Sequence, residues 1–127
     1  MKYIYISDGG KGGVGKSFCS SAVCEALLEK YGNVALVEGD DSQPDLALRY
    51  QSDPNVLLGV LPLNESGDAN RAVSKFAGWL ETNQPDRVVI NLPAGAAKTL
   101  AAHADLIRMS ADEFGYKIVG LYALAHL

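Results

Sequence analysis

Apolar positions along this chain follow two rhythms. Tyr3-Ile4-Tyr5-Ile6, Val34-Ala35-Leu36-Val37, Arg87-Val88-Val89-Ile90-Asn91-Leu92 and the run from Lys117 to Leu124 are short and nearly continuous. Such runs predict strands of a parallel sheet, buried on both faces. Between them the spacing turns helical. Cys19, Ala22, Val23, Ala26 and Leu27 recur at i, i+3, i+4, i+7 and i+8, which predicts one apolar face of a helix of about four turns. Gly32-Asn33 supplies its left-handed cap. Ala72, Val73, Phe76, Ala77 and Leu80 predict a second helix from Ala69 to Asn83, entered near Ser66 or Asp68 and broken by Pro85-Asp86. Its aromatic residues, Phe76 and Trp79, read as packing. A further helix-prone stretch, Ala96 to Phe114, stops at Gly115. The least legible part is 51–70, where Val56-Leu57-Leu58 and Val60-Leu61 form a short strand or bury against the core.

Strands alternating with helices predict a three-layer α/β domain with a mainly parallel sheet flanked by helices. At 127 residues the chain fits one domain, 1–127. With 48% hydrophobic and 20% charged residues it is neither disordered nor membrane-embedded. No apolar run approaches the ~18 residues of a spanning helix, and the N-terminus lacks the apolar core of a signal peptide. A cytoplasmic protein without membrane attachment is expected. Net charge is −4, and the 11 Lys and Arg are scattered along the sequence. A monomer should therefore bind DNA weakly at best, a patch built from two subunits staying open. Cys19 and Cys24 have neither metal nor redox spacing and read as reduced, buried thiols. His103 and His126 stand apart from other ligand types, so no metal role is expected of them.

The first strand runs into Ser7-Asp8-Gly9-Gly10-Lys11-Gly12-Gly13-Val14-Gly15-Lys16-Ser17. Within it Gly10-x-x-x-x-Gly15-Lys16-Ser17 is the pattern of a phosphate-binding loop, in the strand–loop–helix context such a loop requires. Glycines let successive backbone N–H groups converge on one point, and the following helix adds the positive end of its dipole. Lys16 should reach the β- and γ-phosphates, and the Ser17 hydroxyl should ligate Mg²⁺. The loop pattern therefore expects a polyphosphate and Mg²⁺.

The second strand is followed by Glu38-Gly39-Asp40-Asp41-Ser42-Gln43-Pro44-Asp45-Leu46. Ser42 and Asp45 have the spacing of a capping box, so a short helix can open near Pro44 and run to Tyr50. The plainer reading of this stretch is an acidic, capped turn.

Lys11 makes the loop more particular. The segment Lys11-Gly12-Gly13-Val14-Gly15-Lys16-Ser17 resembles the deviant phosphate loop of the MinD/ParA group of P-loop ATPases. The resemblance extends to the acidic stretch from Glu38 and to Leu92-Pro93-Ala94-Gly95 after a hydrophobic strand, so it spans Gly9 to Gly95. It implies a P-loop NTPase fold, with nucleotide contacts from Gly10, Lys11, Gly12, Gly13, Val14, Gly15, Lys16, Ser17 and Phe18. Catalytic roles fall to Lys11, Lys16 and Asp40, Lys11 acting across a nucleotide-sandwich dimer. Ser17 and Asp40 would hold the metal, with Glu38 and Asn91 behind them. Two departures stand out: Glu38 replaces a frequent Asp, and Asn91 replaces the acid of the second motif. A neutral amide brings no charge to Mg²⁺, so hydrolysis is slow or Asp40 and Glu38 supply the charge. Members of the group normally continue beyond this chain's last residue, which fits a truncated form or a minimal relative.

The function expected from the resemblance is ATP–Mg²⁺ binding with slow hydrolysis, coupled to formation of a homodimer. Such switches serve plasmid partition, maintenance or conjugal transfer together with a protein partner. No basic amphipathic helix closes the chain, against the membrane-bound version. Two alternatives remain open: an ATP-dependent small-molecule synthetase of the related amidotransferase-like branch, and a non-hydrolysing nucleotide-binding interaction module.

Overall fold

A computed structural model describes residues 1–7, 14–39, 45–61, 69–91 and 108–121. The described elements are β1 (Lys2–Ser7), α1 (Val14–Tyr31), β2 (Val34–Glu38), α2 (Asp45–Tyr50), β3 (Val56–Val60), α3 (Ala69–Asn83), β4 (Arg87–Asn91), helical residues 108–114, and β5 (Tyr116–Leu121). The strands form one five-stranded sheet in the order β3-β2-β4-β1-β5. Every neighbouring pair is parallel. The short strand expected within 51–70 is β3. Among the described residues no helix is long and apolar enough to cross a membrane.

Alternation along the strands sorts the core into two layers. Ile4, Ile6, Ala35, Val37, Val88 and Ile90 point to one side, where they meet Phe76 and Leu80 of α3, Ala111 and Tyr116. Val34, Leu36 and Val89 point to the other, where they meet Cys24 and Leu27 of α1 and Leu46 and Tyr50 of α2. The topology explains this division. The chain steps from β1 over β4 to β2, and from β3 over β2 to β4, in opposite directions. Parallel crossovers are right-handed, so opposite steps put their helices on opposite faces. Each large apolar side chain buried this way contributes about 1.5–3 kcal/mol, and Phe76 and Leu80 anchor α3 at 2% and 0% exposure.

The buried face of α1 is not the one that its apolar spacing predicts. Ala22 and Ala26 are exposed, while Ser20, Ser21, Cys24 and Leu27 face inward. Val23 and Leu28 pack at the margin. The helix is turned because its serines have hydrogen-bond partners beneath them, so that face is wetted by protein groups rather than by water. Cys24 is a free, buried thiol, as expected. Burial pushes its pKa up to about 12, ahead of smaller opposing effects of Glu25 and Arg49. The cap at Gly32 and the stop at Gly115 are real, with φ of 84° and 79°. Cys19, His103, His126 and the segment 96–107 lie outside the residues whose side chains are described.

Cations scattered in sequence gather in space. Parallel register sets Arg87, Tyr3 and Lys117 in one row on the α1 side of the sheet. The Arg87 guanidinium stacks 3.3 Å above the Tyr31 ring at the end of α1, and the Lys30 ammonium lies 5.3 Å from the same ring. Hydrogen bonding from Lys30, supported by Arg87, draws the exposed Tyr31 phenol below its ordinary pKa. Tyr3 and Tyr5 stand beside them, ring centroids 6.1 Å apart.

On the opposite face, Gly59 of β3 makes room for Trp79 of α3. A Cβ at position 59 would meet the indole Nε1 at 2.7 Å and Cε2 at 2.9 Å. Gly59→Ala should therefore force the indole aside and cost about 1–3 kcal/mol, read as a lowered urea midpoint with unchanged slope. Trp79→Phe in the Gly59→Ala background should recover part of that loss.

Candidate functional site

Ligands of open parallel sheets bind outside the carboxyl ends of the strands, where connections leave adjacent strands in opposite directions. Here β4 meets that condition with both of its neighbours: the chain leaves β4 toward β5, and leaves β1 toward β2 and β2 toward β3 in the opposite direction. The phosphate-loop pattern begins where β1 ends at Ser7 and passes into α1 at Val14. Val14, Gly15, Lys16, Ser17 and Phe18 form the first turns of α1. No acidic residue is in the first turn, and the first N–H groups of a helix have no intrahelical partner, which suits an anion.

Next to that helix start, the ends of β2 and β4 form a buried polar network. Glu38, the last residue of β2, is 0% exposed, and Asn91, the last of β4, is 3% exposed. Asn91 Nδ2 donates to Glu38 Oε2 at 2.7 Å. The Ala47 backbone N–H of α2 donates to Glu38 Oε1 at 3.3 Å. Ser20 Oγ of α1 donates to Asn91 Oδ1 at 3.2 Å. The backbones are joined as well, Gly39 N–H donating to the Asn91 carbonyl at 2.8 Å and Leu61 N–H to the Glu38 carbonyl at 3.0 Å. Because a carboxylate only accepts, the Asn91 amide must turn its nitrogen to Glu38 and its oxygen to Ser20.

This arrangement gives Asn91 a purpose that its lack of charge had hidden. An aspartate there could accept from Ser20 but would set a second carboxylate against Glu38. The amide instead bridges α1 to β2. Ser21, the next residue, extends the connection to α2: Arg49 Nη1 donates to Ser21 Oγ at 2.9 Å, and the Tyr50 hydroxyl lies 3.4 Å from it. Arg49 also reaches Glu25 at 3.7 Å across the exposed surface, a contact worth little by itself. Burial raises the Tyr50 phenol above its ordinary pKa, against the lowering effect of its hydrogen bond with Ser21. Apolar periodicity missed Ser20, Ser21, Arg49 and Tyr50. Paired serines on a helix bound for a sheet were the available signal.

Of the expected site residues, Glu38 and Asn91 are brought together, and Lys16 and Ser17 are placed by backbone at the start of α1. Gly10, Lys11, Gly12, Gly13 and Asp40 lie outside the described residues, as does the Leu92-Pro93-Ala94-Gly95 segment. Among the described residues no cluster of three or more His, Cys, Asp or Glu forms a ready metal site.

The fold is thus a three-layer α/β domain with an all-parallel sheet among its described strands, its polar network at the carboxyl edge. No protein-family model matches the chain. Protein MobD of Acidithiobacillus ferrooxidans is 31% identical over 129 residues, a match covering 97% of this chain and 52% of MobD. The chain spans about half the length of that curated relative. Among solved structures, the BceF tyrosine kinase domain aligns with 94% of this chain and 67% of its own, at 16% identity and a TM-score of 0.44.

Asn91→Asp should be destabilising by about 2–4 kcal/mol at neutral pH, because a donor is lost and two buried carboxylates face each other. One of the pair then keeps a proton in the folded state, its pKa raised above the unfolded value of about 4. The folded state binds the extra proton, so stability of this variant should fall as pH rises from about 4 toward neutrality. The double variant Glu38→Gln/Asn91→Asp reverses the hydrogen bond and should recover most of the loss. Urea denaturation across a pH series measures both.

Proposed function

We propose that this chain is an ATP- and Mg²⁺-binding switch of the MinD/ParA kind, a single domain over 1–127 that hydrolyses ATP slowly and dimerises with nucleotide bound. The observation that carries the reading is Gly10-x-x-x-x-Gly15-Lys16-Ser17 at the junction of β1 and α1, beside the polar ends of β2 and β4. The first-turn N–H groups of α1, which have no intrahelical partner, fit a polyphosphate. In this reading the loop backbone and Lys16 hold the β- and γ-phosphates, and Ser17 and Asp40 hold Mg²⁺. The metal supplies charge neutralisation at the phosphoryl oxygens. Glu38 keeps a carboxylate one strand away from where the resembled group carries its acid, and Asn91 fixes its orientation. Lys11 reaches the partner subunit's nucleotide, so ATP favours the dimer by a contact that the monomer lacks.

A relative named MobD favours the mobilisation and conjugal-transfer settings, with a protein partner in the cytoplasm, over partition. One observation favours a second reading: the Asn91 amide is already engaged with Glu38. A site so arranged suits a nucleotide-binding interaction module that does not hydrolyse ATP. Turnover of ATP with and without DNA separates the two, since the switch turns over slowly and the module not at all. An amidotransferase-like synthetase would require its own substrate.

Lys16→Ala should weaken binding of a fluorescent ATP analogue by at least about tenfold while leaving the circular dichroism spectrum unchanged. Unchanged affinity would remove the phosphate-loop assignment. Lys11→Ala should bind the analogue as a monomer yet lose ATP-dependent association and hydrolysis together. Sedimentation with ATP, ADP and no nucleotide reads the difference.

A further inference from the structure

The α1 side of the sheet carries a second surface, at the amino-terminal ends of the strands and away from the phosphate loop. Its first row is Arg87, Tyr3 and Lys117, and its second is Tyr5 and Val119 beside the buried Val89, neighbours by register on β4, β1 and β5. α1 packs on β2, β4 and β1, and its last two residues, Lys30 and Tyr31, close this surface on one side. Lys30 and Lys117 are exposed, Tyr31 is 42% exposed, and Tyr3, Tyr5, Arg87 and Val119 are half-buried. The tyrosines and cations are mutual neighbours: the groups acting on the Tyr5 phenol, after burial, are Tyr31, Arg87, Tyr3 and Lys30.

The composition of this surface is selective. Three cations interleaved with three tyrosines place phosphate-pairing charge beside aromatic rings within one patch, Arg87 being already stacked on one face of Tyr31. Exposed Glu29 and Asp86 stand at its margin, and the whole chain is acidic, so the patch is a local feature and not an overall field. Unpaired bases on a flexible phosphate backbone match both halves of the surface.

We infer that the Tyr3, Tyr5, Tyr31, Lys30, Arg87 and Lys117 face binds single-stranded nucleic acid, stacking bases on tyrosine and pairing phosphates with the cations. This goes beyond the nucleotide switch and is independent of it, since the two surfaces lie at opposite ends of the strands. It also revises the expectation of scattered positive charge.

The test is fluorescence anisotropy with a labelled 20-nucleotide oligothymidine, titrated with the full chain at several salt concentrations. Saturable binding is expected at low salt, with a duplex of the same length bound more weakly. Lys30→Ala/Lys117→Ala changes only exposed side chains. It should reduce the slope of log affinity against log salt by about 1.4, from ~0.7 for each phosphate contact on a single strand. Tyr31→Ala and Tyr3→Leu should each lower affinity by about tenfold with the slope unchanged. Both variant sets should still bind the fluorescent ATP analogue as the parent does, which separates failure of this surface from failure of the nucleotide site. No saturable binding by the parent would overturn the inference. So would tyrosine variants that bind as the parent does, because that result reduces the face to generic charge. Equal binding to phosphatidylserine vesicles, lost in the same variants, would assign the surface to membranes and overturn it as well.

Discussion

A carboxylate taken out of water must be given donors, and Glu38 is the residue around which the carboxyl edge of this sheet is arranged. It is fully buried at the end of β2. An unpaired charge there would cost several kcal/mol. Among the described residues, the Asn91 side chain of β4 and the Ala47 backbone of α2 donate to it. Asn91 in turn accepts from Ser20, so α1 is tied to the same carboxylate. These shared hydrogen bonds couple the ends of β2 and β4 to the placement of α1 and α2.

That coupling gives the candidate site a rigid floor. The carboxyl end of β2 is joined to the end of β4 by backbone and side-chain hydrogen bonds. Precision in such sites comes from rigid elements beneath the loops. Short α2 has only six residues, too few to be stable alone. It is held by Leu46 and Tyr50 in the core and by Ser21, Arg49 and Glu38 at its polar margin. A displacement of the acidic segment before α2 would therefore be felt by α1 through Ser21.

The two ends of the sheet have different chemistry because parallel strands point one way. All carboxyl ends gather on one edge, where Glu38 and Asn91 meet. All amino ends gather on the other, where Arg87, Tyr3 and Lys117 form a row. An antiparallel sheet would have dispersed both groups. The all-parallel order, which only right-handed crossovers on both faces can cover, is what makes each edge a surface of one character.

Strand and helix order was legible in the residues because period and backbone requirement are local. Continuous apolar runs marked β1, β2 and β4, Phe76 and Leu80 marked the inner stripe of α3, and Gly32 and Gly115 stand at the positive φ angles where a side chain is costly. The phosphate-loop pattern was legible for the same reason, its chemistry lying in one contiguous segment between a strand and a helix. Tertiary structure alone decided the rest. Apolar spacing assigned Ser20 and Ser21 no role in α1, and the structure sets Asn91, 71 residues beyond Ser20, beneath it. Asn91 read as a lost charge until Glu38, 53 residues before it, came within 2.7 Å. Arg87, Lys117 and Lys30 read as scattered until strand register gathered them beside three tyrosines. Hydropathy measures a residue's affinity for water averaged over all neighbours, whereas burial of a polar group depends on the one neighbour that meets it, and that neighbour is supplied by the fold.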